Sequence, residues 1–207
     1  MMKSLTSLSL AALVGLTAAA ASATDFEIST SPLSTASYTS DADLETISGT
    51  SVQVSGTIAT DLKDPSKTSG SFSIPVTSLL SGVPMRDEHM AGKDWLNAAE
   101  FPNVTFAIKS LALKGDNKAL TAGSSVQADA TGEFTLHGVT KTITIPVRAS
   151  YREIAAGQVY GLEGNILRIE TTFGIKLSDY GVNIPAPLTA KVANELTLTI
   201  KATAKQK

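Results

Sequence analysis

From Val52 to Ile200 the chain repeatedly sets apolar against small polar residues at a spacing of two. No other feature limits its fold so strongly. Val52, Val54, Ile58 and Leu62 alternate with Gln53, Ser55, Thr57 and Asp61, and Phe72, Ile74 and Val76 stand opposite Ser71, Ser73 and Thr77. Val104, Phe106 and Ile108 alternate with Thr105, Ala107 and Lys109; Leu196, Leu198 and Ile200 alternate with Thr197, Thr199 and Lys201. Successive side chains of a strand point to opposite faces, so each segment has one apolar and one polar side. Such strands are stable only when their apolar faces are buried against one another, in an antiparallel sheet that is doubled or closed. A sandwich and a barrel satisfy the alternation equally. The length of several segments, about ten residues, favours a tilted barrel of lipocalin size, with about eight strands and an interior wide enough for a ligand.

Hairpin signals divide the segments. Asp64 to Gly70 is rich in turn formers and predicts the turn between the strands at Val52–Leu62 and Ser71–Val76. Gln127–Leu136 and Thr140–Arg148 face each other across His137-Gly138-Val139, where the glycine suits positive φ and the histidine ring can bond backbone. Ala36, Tyr38, Leu44 and Ile47 fit two short strands or one bent strand; Ser178–Pro187 reads as a loop, and Val192 as the start of the last strand.

One stretch breaks the rhythm. Pro84–Phe106 clusters charges of both signs with His89 and Trp95, the single tryptophan. Asp94 is placed as an N-cap and Pro102 bars Phe101 from helix, so two short helical turns broken at Gly92 are predicted. Lys3, the apolar run Leu8–Ala20 and Ala21-Ser22-Ala23 form an export signal over residues 1–23, with cleavage near Ala23 and one mature domain over 24–207. The chain has no cysteine, so the domain is held without disulfides or thiolate metal sites. Without Lys3 the charge is 16 basic against 19 acidic residues, which argues against nucleic acid as a partner.

Three blocks resemble the YceI-like family. Arg86-Asp87-Glu88-His89-Met90, with Trp95-Leu96 and Phe101-Pro102-Asn103-Val104-Thr105-Phe106, is similar to its first signature. Gly132-Glu133-Phe134-Thr135-Leu136-His137-Gly138-Val139-Thr140-Lys141 is similar to its hairpin motif, and Thr172-Phe173-Gly174-Ile175 to its last element. Met90, Trp95, Phe134 and Thr172 depart from the family pattern, and Leu33–Tyr38 lacks the histidine often found there. The resemblance implies an eight-stranded lipocalin-like antiparallel barrel with a short helical segment. It also implies a periplasmic protein that binds a polyisoprenoid or quinone-type lipid, with a homodimer as a possible assembly.

The residues themselves nominate no catalyst, cofactor or metal. Two histidines fall short of a zinc site, and no nucleophile elbow is present. By parity Val54, Ile58, Phe72, Ile74, Phe106, Ile108, Phe134, Ile143, Ile145, Leu196 and Leu198 point inward, and with Trp95 they are the candidate cavity wall. Arg86, Asp87 and His89 are the candidate polar mouth, where a guanidinium would meet an anionic head group; the competing reading is a local Arg86–Asp87 ion pair. The expected function is lipid binding without catalysis. The alternative is a solid-core β-domain acting as a stress-related or surface interaction module.

Overall fold

The alternating segments form ten antiparallel strands: β1 (Thr24–Ile28), β2 (Thr35–Asp41), β3 (Thr46–Ser51), β4 (Ser55–Asp61), β5 (Asp64–Pro75), β6 (Asn103–Lys114), β7 (Ser125–Leu136), β8 (Val139–Val159), β9 (Leu162–Lys176) and β10 (Glu195–Gln206). Among the described residues one α-helix, α1 (Pro84–Ala91), lies between β5 and β6. The structure is a computed structural model describing residues 23–207. The expected export signal lies outside the described residues but for its last position.

The ten strands fill eight positions around a closed ring. β1 pairs with the end of β10 through Phe26↔Gln206 and Ile28↔Ala204, and β2 pairs with its beginning through Thr35↔Lys201 and Leu196↔Ser40. β1 and β2 are therefore one ring strand with a break. β4 pairs with β1 and β3 with β2, so β3 and β4 are a second broken strand. From β4 the ring runs through β5, β6, β7, β8, β9 and β10 back to β1. At the β3 end it is completed by a single bridge, Thr50↔Leu80. Serine side chains stand in at the breaks. Ser34, fully buried, accepts from the Thr203 amide at 3.0 Å, and Ser51 accepts from the Gln53 amide at 2.9 Å while meeting Ser78 at 2.7 Å. Buried backbone groups need partners, and these hydroxyls supply them.

Four sequence expectations are corrected. Val52–Leu62 is not one strand, because the chain leaves the sheet between Ser51 and Ser55. The turn formers Asp64–Gly70 lie inside β5. The reversal is at Leu62–Lys63, where Asp61 accepts from the Lys63 amide at 2.9 Å, and a register shift at Ala59/Asp61 absorbs the irregular residues. Asp94 caps no helix: α1 starts at Pro84, whose missing N–H and fixed φ suit a first position, and beyond Gly92 the chain makes irregular turns, with Leu96 N–H donating to Met90 and Ala98 N–H to Ala91. Val192 precedes β10, in turns that begin at Ala186.

The β7–β8 hairpin is as expected. His137 and Gly138 both take positive φ, 50° and 73°, the geometry whose twist matches a two-residue hairpin. The His137 ring meets the Tyr180 carbonyl oxygen at 3.1 Å. Gly138 faces Phe101, whose ring a Cβ there would overlap, so the segment crossing from α1 to β6 seats on this turn. That stacking places α1, the β2–β3 turn, the β7–β8 turn and the 177–192 segment together at one end of the barrel. The other end carries the β4–β5 turn and the 115–124 loop, joined by the Leu120 amide donating to Leu62 at 2.7 Å, and Leu120 is itself buried.

Candidate functional site

Side chains fill one half of the barrel interior and leave the other half open. In the filled half Phe26, Ile58, Phe106, Val126, Ala130, Ile145 and Tyr151 are all nearly inaccessible. Phe106 lies along the wall of three neighbouring strands: its ring stacks on Phe72 of β5 at 5.6 Å and lies over Gly132 of β7, where an added Cβ would stand 2.5 Å from its Cζ. Only glycine opposite leaves the ring that room.

Above this aromatic floor is a cavity of about 410 Å³ beneath α1. Ile74, Val104, Phe134 and Ile200 line it nearest the floor; Ala36, Tyr38, Ile47, Leu136, Ile175, Leu177, Leu196 and Leu198 form the walls. Met85, Met90, Trp95, Leu96, Val83, Leu79, Leu188 and Val192 cover the end. Alternation explains the change from floor to wall. On β5 the inward residue after Phe72 is Ile74, and on β6 the one before Phe106 is Val104; smaller side chains there leave the interior unfilled.

The expected wall residues divide accordingly. Ile74, Trp95, Phe134, Leu196 and Leu198 line the cavity. Val54, Ile58, Phe106 and Ile145 are buried core, and Phe72, Ile108 and Ile143 pack against it. A bulge between Ile108 and Ser110 shifts the inward phase of β6, so Leu111 and Leu113 also face the interior, opposite Ala130 and Ala128. Alternation alone does not reveal that shift.

The polar mouth is differently wired from either sequence reading. Arg86 donates to Glu45, at 2.6 Å, across the β2–β3 turn. Asp87 turns away from Arg86 and accepts from the Ser81 amide at 2.7 Å and its hydroxyl at 2.6 Å. Those two bonds, the hydroxyl's first, hold the Asp87 carboxyl below its ordinary range. Arg86 and His89 line the cavity together with Glu45 and Lys191, whereas Asp87 does not. Among the described residues no group of three or more His, Cys, Asp or Glu side chains is placed to hold a metal ion.

Tyr38 was outside the expected site. It is 8% exposed and lines the cavity, and its ring lies over Gly49, where a Cβ would crowd it. Its hydroxyl is buried and finds no partner among the described residues. Burial, and then Asp87, push its pKa above the ordinary tyrosine range against the pull of Arg86, so it stays a neutral donor. The available signal was Gly49 within β3, whose other inward residues are Ile47 and Ser51.

Comparison with known proteins bears on this arrangement. The sequence model of the YceI-like domain matches residues 18–204. A UPF0312 protein of Pseudomonas fluorescens is 29% identical over 152 residues, 73% of this chain and 72% of that one. Protein YceI of Escherichia coli O157:H7 is 33% identical over 100 residues, 48% of this chain and 47% of that one. Among solved structures, BcnA of Burkholderia cenocepacia superposes with a TM-score of 0.67 at 24% identity, covering 83% of this chain and 96% of that one. A polyisoprenoid binding domain from Saccharophagus degradans superposes with a TM-score of 0.65 at 14% identity, covering 89% and 99%. At these identities the two structures speak for the fold. No helix among the described residues is long and apolar enough to cross a membrane.

Proposed function

Because this chain belongs to the YceI-like family, we propose that it is an exported, non-catalytic carrier whose barrel holds an amphiphilic lipid of the isoprenoid or quinone kind. The observation that carries this reading is the apolar cavity under α1. A closed barrel spends stability by leaving such a space unfilled, since each apolar group on its wall forgoes contacts it would make in a packed core. Burial of a hydrocarbon tail there is favourable by about 0.8 kcal/mol per methylene and requires no catalytic group. The relative from Saccharophagus degradans, which shares the fold, is described as polyisoprenoid-binding and so supports the same ligand class.

The wall would be Ile74, Phe134, Leu196 and Leu198 with Tyr38 and Ile47, and Trp95 would cover the tail. The mature protein begins near Thr24 and works in the periplasm. Native mass spectrometry of gently purified protein, followed by lipid extraction, tests the reading, and a co-purifying amphiphile is the expected result. Repeated recovery of ligand-free protein that also takes up no added isoprenoid or quinone would overturn it. The packed half of the interior favours the alternative of a solid interaction module only for that half, and such a module would show no lipid uptake.

A further inference from the structure

Resting on the carrier reading, we infer that the cavity takes one amphiphile with a tail of about 15 carbons and an anionic head that sits on Lys191. Tail length follows from volume. A 150 Å³ apolar cavity that accepts benzene allots about 25 Å³ to each non-hydrogen atom, and on that scale 410 Å³ holds about 16. The tail stops at a built floor. Phe72 and Phe106 stack side by side on the paired strands β5 and β6, Phe106 lies over Gly132 of β7, and Ala130, Ile145 and Phe26 in the same half are at most 2% exposed. A polyisoprenoid several times longer leaves most of its chain outside.

The head group follows from the charges on the cavity's rim. Arg86, the cation that the sequence nominates, is already engaged by Glu45. Lys191 lines the same cavity, and among the described residues no carboxylate lies within ion-pair distance of its ammonium. Its position is fixed from both sides. The Lys191 amide donates to Leu188 at 2.9 Å, the neighbouring Ala190 carbonyl accepts from the Leu44 amide at 2.8 Å, and the Ala193 amide donates to Ser40 Oγ at 2.9 Å. The rim therefore presents one neutralised pair and one exposed cation on an anchored stretch of backbone. A carboxylate or a monophosphate ester supplies the matching charge, whether on an acyl or an isoprenyl tail.

Calorimetric titration of the full mature chain tests this. The probes are straight-chain carboxylates of about 8 to about 22 carbons, farnesyl monophosphate, farnesol and octaprenyl monophosphate. Affinity is expected to rise about 3- to 4-fold per carbon and to level near 15 carbons. Lys191→Gln should weaken palmitate and farnesyl monophosphate about fivefold and leave farnesol unchanged. Phe106→Leu should move the plateau to longer tails, with Phe72→Leu as the variant to use if the first does not fold. Affinity that keeps climbing to octaprenyl monophosphate, or a Lys191→Gln loss equal for farnesol and its phosphate, overturns this inference and leaves the carrier reading standing. Failure of every probe to bind overturns the carrier reading itself.

Discussion

The two halves of the barrel are built from the same strands, yet the lower half is packed and the upper half is hollow. β5, β6, β7 and β10 run through both. Below, they contribute Phe72, Phe106, Ala130 and Ala202, large residues beside small ones in one packed cluster. Above, they contribute Ile74, Val104 and Leu198, aliphatic residues, with Phe134 as the one ring among them, and the space between them stays open. The closure differs as well. Leu120 and Tyr151 seal the lower end with buried apolar side chains, whereas α1 covers the upper end without burying any of its residues. That helix is held at its edges by Arg86–Glu45 and Asp87–Ser81. Stability is therefore concentrated below, and on the carrier reading ligand exchange would take place above.

The largest test of this contrast is a pair of truncations. Phe106→Ala should cost about 3–5 kcal/mol in chemical denaturation, as removal of a fully buried ring does. Leu198→Ala enlarges a space that already exists and should cost no more than about 1–2 kcal/mol while weakening lipid uptake. Equal losses would mean that the upper half is as solid as the lower. Next in size, Ile145→Phe should overpack the lower half by about 1–3 kcal/mol, and a denaturation midpoint no lower than the parent's would show room there that the fold does not display.

Tyr38→Phe sharpens the comparison in the other direction. A buried hydroxyl without a partner is a liability, so its removal should leave stability unchanged or raise it by up to about 1 kcal/mol. A loss of stability would reveal a partner. The smallest effects belong to the helix. Arg86→Ala should change global stability by less than about 1 kcal/mol, because both members of its ion pair are about a third exposed, but should speed hydrogen exchange in α1. Asp87 gives that helix a pH dependence. Its folded pKa is depressed, so its contribution is complete above the ordinary carboxylate value of about 3.9 and is lost as pH falls through the lower folded value. Exchange of the Ser81 amide followed by NMR should accelerate across that acid range, and Asp87→Asn should remove the dependence.

Much of the architecture was legible in the residues. The β7–β8 hairpin could be read from its alternation and from His137-Gly138, because side-chain parity and positive φ are local properties. The stretch from Ala36 to Ile47 was legible as two short strands or one bent strand, and it is the former, β2 and β3 paired as a hairpin with Leu44 in the turn. Less legible was the phase of β6 beyond Ile108, since a bulge adds one residue without any compositional mark. The rim was least legible. Glu45 meets Arg86 from 41 residues away, and Lys191 reaches the cavity from turns whose sequence resembles an ordinary loop. Charges paired over such separations leave no periodic trace.

The Pro84–Phe106 stretch stood out by composition as either a closure or a site, and in the fold it closes the barrel end and lines the cavity. By itself the sequence determined which faces are apolar, that the strands must bury them in an antiparallel sheet either doubled or closed, and that one segment interrupts it. Only the tertiary structure decided where the interior is filled. Parity sets the side on which a residue lies. Whether that side is packed depends on how far each side chain reaches and on what stands opposite it, and the opposite wall is assigned only when the ring closes.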